Sequence, residues 1–208
     1  MPVLSLPSAV ELRRRLPRLL LGLVIFGCGI ALLVRSDIGL GPWDVLHQGI
    51  SNRTGIPIGT VGILVSIPVL ALWLPVGVRP GIGTVLNVLV VGGTIDLALV
   101  VLPAVEAAAA QVGLMVAGVV AMGLGSGLYI GAGLGPGPRD GLMVGLQARG
   151  IGSVRTVRTG IELVVLVLGW SLGGTVGPGT LVQALSIGPL VQLFLGRLAM
   201  PPMAGPRR

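Results

Sequence analysis

Six apolar runs of about the length needed to cross a bilayer take up most of this sequence: Leu19–Val34, Ile58–Leu74, Gly83–Leu102, Val112–Ile130, Val157–Leu172 and Thr180–Leu198. A spanning helix needs roughly 20 apolar residues, because every backbone N–H and C=O must find its partner inside the hydrocarbon. Runs this closely spaced leave room for short connections and for no extramembrane domain. Charged residues make up only 10% of the chain, where a soluble domain uses about 25%, so the side chains that would hydrate a surface are missing. The expected fold class is all-α membrane with six transmembrane helices.

Charge then sets orientation. Lys is absent and all 14 basic residues are Arg. With the N-terminus inside, Arg13, Arg14, Arg15, Arg18, Arg79, Arg139, Arg149, Arg155, Arg158, Arg197, Arg207 and Arg208 fall on the inner side, and only Arg35 and Arg53 fall outside. The positive-inside rule therefore predicts a multi-pass protein of the cell (cytoplasmic) membrane with both termini cytoplasmic. Residues 1–18 read as a cytoplasmic basic tail and 199–208 as a second cytoplasmic tail. The net charge of +7 is accounted for by orientation, and no nucleic-acid partner is expected.

The same inventory removes several kinds of chemistry. One Cys (Cys28) and one His (His47) cannot build disulfide frameworks, zinc clusters, iron–sulfur sites or bis-histidine haem. Without Lys there is no Walker A loop, Schiff-base lysine or Ser–Lys dyad. Gly169-Trp170-Ser171-Leu172-Gly173 fits the spacing of a nucleophile elbow, but that motif needs a strand–turn–helix and a His base, and neither is at hand. No enzyme activity, metal or cofactor is expected.

A repeat divides the chain. At an offset of about 96 residues, Gly39-Leu40-Gly41-Pro42-Trp43-Asp44 lies over Gly135-Pro136-Gly137-Pro138-Arg139-Asp140, and Gly81-Ile82-Gly83-Thr84 lies over Gly177-Pro178-Gly179-Thr180. Roughly 23 positions between 22 and 92 meet an identical residue without a gap, too many for glycine richness alone. The first copy covers 19–103 and the second 104–198. Three spans per copy is an odd number, so the second must enter the membrane from the opposite side. The expected architecture is two inverted three-helix repeats, which many secondary transporters use around a midplane site.

The shared motif reads as a helix start. Its glycines allow a tight turn, Pro42 or Pro138 suits the first helical position, and Asp44 or Asp140 falls at the third, near the positive end of the dipole. The helices that follow, Pro42–Asn52 and Pro138–Arg149, are too short to span. They read either as re-entrant half-helices or as interfacial helices with capping carboxylates. Thr84 and Thr180 read either as caps or as a polar lining, with Asn87 and Gln183 one turn later. Glu162 lies well inside the fifth span and is the candidate proton-coupling group, with Asp96 the weaker candidate nearer an interface. Gly123, Gly127, Gly131 and Gly135 recur every fourth residue and form a packing face.

These paired motifs resemble the YczE-like (YczE/YyaS/YitT-type) bacterial integral membrane proteins over about residues 18–198. The resemblance implies a prokaryotic cytoplasmic-membrane protein and lends no substrate and no agreed catalytic residue. Pro136 departs from Leu40 of the first copy and stiffens the second turn. The expected function is a small secondary transporter or exporter working by alternating access. Its substrate-binding candidates are Gly41, Pro42, Asp44, Gly137, Pro138, Asp140, Thr84, Thr180, Asn87 and Gln183. Positive half-helix ends favour an anionic or zwitterionic solute, although the Asp pair works against a strong anion. The alternative is a scaffold or accessory subunit that holds a partner membrane protein. The expected partners are the lipid bilayer, an unidentified small molecule, and either a second copy or another membrane protein.

Overall fold

The computed structural model describes residues 8–201, so residues 1–7 of the basic tail, and Arg207 and Arg208, lie outside the described residues. Among the described residues there is no strand, and the helices are α1 (Ala9–Ser36), α2 (Pro42–Thr54), α3 (Ile58–Ala71), α4 (Trp73–Val76), α5 (Ile82–Val101), α6 (Ala108–Gly131), α7 (Pro138–Ala148), α8 (Val154–Ser171) and α9 (Pro178–Leu198). The two halves run through the same order. α2 and α7 start at 42 and 138, α3 and α8 at 58 and 154, α5 and α9 at 82 and 178, each pair 96 residues apart (138 − 42, 154 − 58, 178 − 82).

α1 is longer than its apolar run because the basic segment is helical too. Ser8 caps its start, its hydroxyl accepting from the Glu11 N–H at 3.2 Å. Arg15 is buried, donates to Glu11 Oε2 at 2.6 Å, and reaches the carbonyls of Ala132 (3.0 Å) and Pro201 (2.6 Å). Arg18 donates to the Leu198 carbonyl. These cations meet the ends of α6 and α9, where unpaired carbonyls and the negative dipole end favour them.

The centre of the molecule is the crossing of α1 and α6, which four glycines make close. A Cβ at Gly22 would sit 2.8 Å from the Gly125 carbonyl, and one at Gly29 would sit 2.8 Å from the Gly118 carbonyl. Gly22 and Gly118 are equivalent positions in the two copies, as are Gly29 and Gly125, so the two contacts exchange under the repeat. Leu19, Leu23, Ile30 and Leu33 of α1 pack with Met115, Val119 and Met122 of α6 in the main core. Around this crossing α5 packs on α1 and α9 packs on α6. Gly27 meets Thr94 in one place and Gly123 meets Leu190 in the other. The four-residue glycine spacing on α6 thus serves α9: Gly127 lies against Phe194 and Gly131 against Ala199. Without water to expel, such helices hold together through close backbone approach and dispersion.

Five helices are long and apolar enough to cross a membrane: Ala9–Ser36, Ile58–Val76, Ile82–Val101, Ala108–Gly131 and Pro178–Leu198. The expected fifth span, Val157–Leu172, forms α8, which is outside that set. Its 18 residues include Arg155, Arg158 and Glu162. Large apolar side chains nevertheless cover the outer faces of the bundle, among them Leu97, Val100, Val116 and Leu185, as on a protein whose solvent is lipid.

Candidate functional site

Both motif copies build the helix start that their residues dictate. Gly39 and Gly135 hold φ values of +123° and +130°, a region closed to residues with a Cβ. Gly41 and Gly137 are extended N-caps, and Pro42 and Pro138 open α2 and α7. Each turn docks on the last helix of the opposite half. The Gly179 N–H donates to the Ile38 carbonyl at 2.8 Å, and the Gly83 N–H donates to the Leu134 carbonyl at 2.9 Å, again equivalent bonds.

This docking brings the N-terminal ends of α2 and α7 together. Arg139 Nη2 lies 3.6 Å from Asp44 Oδ1, and the Arg139 guanidinium stands over the Trp43 ring, 5.3 Å from its centre. His47 Nδ1 lies 3.8 Å from the same Asp44 oxygen. Asp140 accepts from the Tyr129 hydroxyl at 3.3 Å, and that ring meets Phe26 edge-on. Trp73 is fully buried and donates from Nε1 to the Pro138 carbonyl at 2.9 Å, fixing the start of α7.

A cavity of about 340 Å³ opens beside this junction, within the size range of small-molecule sites. Gly41, Pro42, Trp43 and Asp44 form one part of its wall, and Gly137, Pro138, Arg139 and Asp140 form the part facing them. Asn87 of α5 and Gln183 of α9 complete the polar lining, and Phe26, Val91, Met122 and Ile187 supply an apolar side. Arg158 and Glu162 of α8 also reach it, paired with each other at 2.8 Å. Gln183 donates to Met122 Sδ at 3.4 Å, while its Oε1 is buried with no hydrogen-bond partner, as is Asp44 Oδ1.

Of the sequence candidates, Gly41, Pro42, Asp44, Gly137, Pro138, Asp140, Asn87, Gln183 and Glu162 all line this one cavity. Thr84 and Thr180 stand behind it. The Thr84 hydroxyl accepts from the Gly81 N–H at 3.2 Å and donates to the Pro136 carbonyl at 2.8 Å, and Thr180 Oγ1 accepts from the Gly177 N–H at 3.2 Å. They cap α5 and α9 and hold the motif turn in place. Asp96 lies outside the cavity and serves α3, accepting from the N–H groups of Gly59 (2.6 Å) and Thr60 (2.8 Å) and from the Thr60 hydroxyl (2.7 Å). Arg139, Trp43, Tyr129 and Arg158 were not expected at the site. Three of them carried a signal, since Trp43 and Arg139 fill the one differing place of the Pro-x-Asp motif, and Arg158 stands four residues before Glu162.

The two halves differ in their helix contacts, α2 packing more extensively on α8 than α7 does on α3, and most of all in one further pair. α3 packs along α5, where a Cβ at Gly92 would lie 2.6 Å from the Gly59 carbonyl. The equivalent pair, α8 and α9, makes no extended contact, and Gly188, the counterpart of Gly92, has nothing within 4 Å of its Cβ position. Gly188 and Gln192, the counterpart of Asp96, face the cavity instead.

The family described as "Family of unknown function (DUF6198)" matches residues 13–196. An uncharacterised protein of Haemophilus influenzae is 41% identical over 184 residues, covering 88% of this chain and 84% of its own. The uncharacterised membrane protein YczE of Bacillus subtilis is 33% identical over 176 residues, covering 84% and 82%. YyaS of the same organism is 27% identical over 188 residues, covering 84% and 89%. No solved structure matches the chain.

Proposed function

This chain belongs to the YczE-like membrane protein family that the DUF6198 description covers, and we propose that it is a small secondary transporter or exporter of a small solute. The observation that carries this reading is the unequal pair of helix contacts: α3 is closed on α5 while α8 stands away from α9 with the cavity between them. In a protein built from two inverted copies, that inequality is one of two states. Exchanging the two arrangements would close the cavity on one side of the membrane and open it on the other.

In this reading α8 is the sixth span. Its charges do not argue against that, because Arg155 lies in the first turn of the helix and Arg158 and Glu162 turn to the cavity, while Leu163, Val164, Val167, Leu168 and Trp170 are exposed outward. Intramembrane charges are tolerated in that orientation. α2 and α7 are then re-entrant half-helices whose N-terminal ends meet at the solute site from opposite surfaces. With both termini cytoplasmic, the open α8–α9 side faces the cytoplasm.

A thermal-shift screen of the purified protein against metabolites and ions tests the site. A stabilising ligand whose effect is lost in Asp44→Asn and Asp140→Asn is expected. The reading is overturned if no ligand stabilises the protein, or if the variants respond as the parent does. A stoichiometric partner retained through purification, with no ligand response, would instead identify a scaffold.

A further inference from the structure

We infer that the solute is a small organic monocation, an ammonium ion with an apolar body, taken up with the Asp140 carboxylate as its counter-ion. The inference rests on the transporter reading and narrows it. The cavity holds three carboxylates, Asp44, Asp140 and Glu162, against two guanidiniums, Arg139 and Arg158. Glu162 is committed to Arg158 at 2.8 Å. Arg139 stands between Asp44, at 3.6 Å, and the Trp43 ring. Asp140 is left with the neutral hydroxyl of Tyr129, at 3.3 Å, as its one side-chain hydrogen bond. The site is one positive charge short.

Hydrogen-bonding capacity points the same way. Gln183 is 5% exposed and Asp44 2% exposed; Gln183 Oε1 is an acceptor without a donor, and Asp44 Oδ1 has the Arg139 guanidinium only at 3.6 Å, beyond hydrogen-bond distance. A buried acceptor left unpaired is costly, and an ammonium group brings up to three donors to such a wall. Trp43 Nε1 is a buried lining donor left unpaired, which a single oxygen on the solute would satisfy. The dipole argument for an anion loses its force, because Asp44 and Asp140 already occupy the first turns of α2 and α7. Phe26, Val91, Met122 and Ile187 provide the surface for the apolar body.

The Asp140 carboxylate is open to solvent, so an entering cation can reach it directly. The charged and polar groups around it are Tyr129 of α6, Arg139 beside it on α7, Arg158 and Glu162 of α8, and Asp44 of α2.

The test uses purified full-length protein and three probes of one shape: phenethylammonium, 2-phenylethanol and phenylacetate. Calorimetry should show phenethylammonium binding at least about tenfold tighter than either other probe. Asp140→Asn should weaken it about tenfold or more, as expected when the counter-ion of the bound cation is removed, while Glu106→Gln in the loop should leave it unchanged. If Asp140→Asn does not fold, the charge preference of the parent protein decides. Equal or tighter binding of phenylacetate or the alcohol, or no binding of phenethylammonium, overturns the cation assignment. Flux of phenylacetate into proteoliposomes would do so while leaving a transporter standing. Tight ammonium binding without flux would keep the cation site and overturn transport.

Discussion

The Arg139 guanidinium lies 5.3 Å from the centre of the Trp43 ring, and the two residues hold the same place in two copies of one motif. The repeat therefore closes on itself at a position where its two copies differ. One copy supplies an aromatic face and the other a cation, and that cation also approaches Asp44 of the first copy at 3.6 Å. Two identical copies could not make this contact. Two tryptophans would leave Asp44 without a nearby cation, and two arginines would repel.

Asp44 is buried and Arg139 is about one-third exposed, so their removal should be unequal. Arg139→Ala leaves a buried carboxylate without its cation and should cost about 2–3 kcal/mol of unfolding free energy. Asp44→Asn leaves a cation that water can reach and should cost less, and the double variant should recover at least about 1 kcal/mol relative to the sum of the singles. Chemical unfolding in mild detergent measures all three. Strict additivity would show that the two side chains do not interact.

How far the sequence speaks is visible at these same residues. The helix starts at Pro42, Pro138 and Pro178 were legible because Gly-Pro punctuation acts locally. The cavity wall was legible because the repeat ties Asp44 to Asp140 and Asn87 to Gln183. Arg139 was not. By charge it is one more inner-side arginine, and only the meeting of α2 with α7 turns it into a partner of Asp44. The choice of cap over lining for Thr84 and Thr180 depended likewise on where the Gly81 and Gly177 N–H groups point. The first turns of α1 were hidden because basic residues read as a solvated tail, whereas Arg15 is buried against the end of α6.

At the α1–α6 crossing, Gly125→Ala would place its Cβ 2.6 Å from the Phe26 backbone nitrogen. Neither helix can give way without spoiling the matching contact of Gly29 with Gly118. A loss of about 2 kcal/mol or more is expected. Gly113→Ala, one helix face away with nothing within 4 Å, should instead stabilise α6 by up to about 1 kcal/mol. Melting temperatures in detergent that moved the same way for both would contradict the packing described.

Asp96 offers both carboxylate oxygens to the start of α3 and receives three hydrogen bonds there. Asp96→Asn keeps one oxygen and points an amide at the remaining donors. It should cost about 2 kcal/mol, within the range for bonds to a charged group. Thr60→Val, which removes one donor and leaves the carboxylate two backbone N–H groups, should cost about half as much. If Asp96→Asn melts with the parent protein, the carboxylate does not hold α3 to α5.

The state of that contact can be tested against its counterpart. Thr156 and Gln192 are the repeat equivalents of Thr60 and Asp96, yet Thr156 is engaged with Ser153 and Gln192 faces the cavity. In a Cys28→Ser background, Thr60→Cys with Asp96→Cys should cross-link readily, since their side chains already touch at 2.7 Å. Thr156→Cys with Gln192→Cys should cross-link only as α8 closes on α9, and slowly in the resting protein. A ligand that favours the closed arrangement should accelerate it. The decisive variant carries all four cysteines. If the two contacts alternate, mass spectrometry should find molecules with either cross-link and almost none with both. A doubly cross-linked majority would mean that both sides close together, and the exchange of arrangements would have to be abandoned.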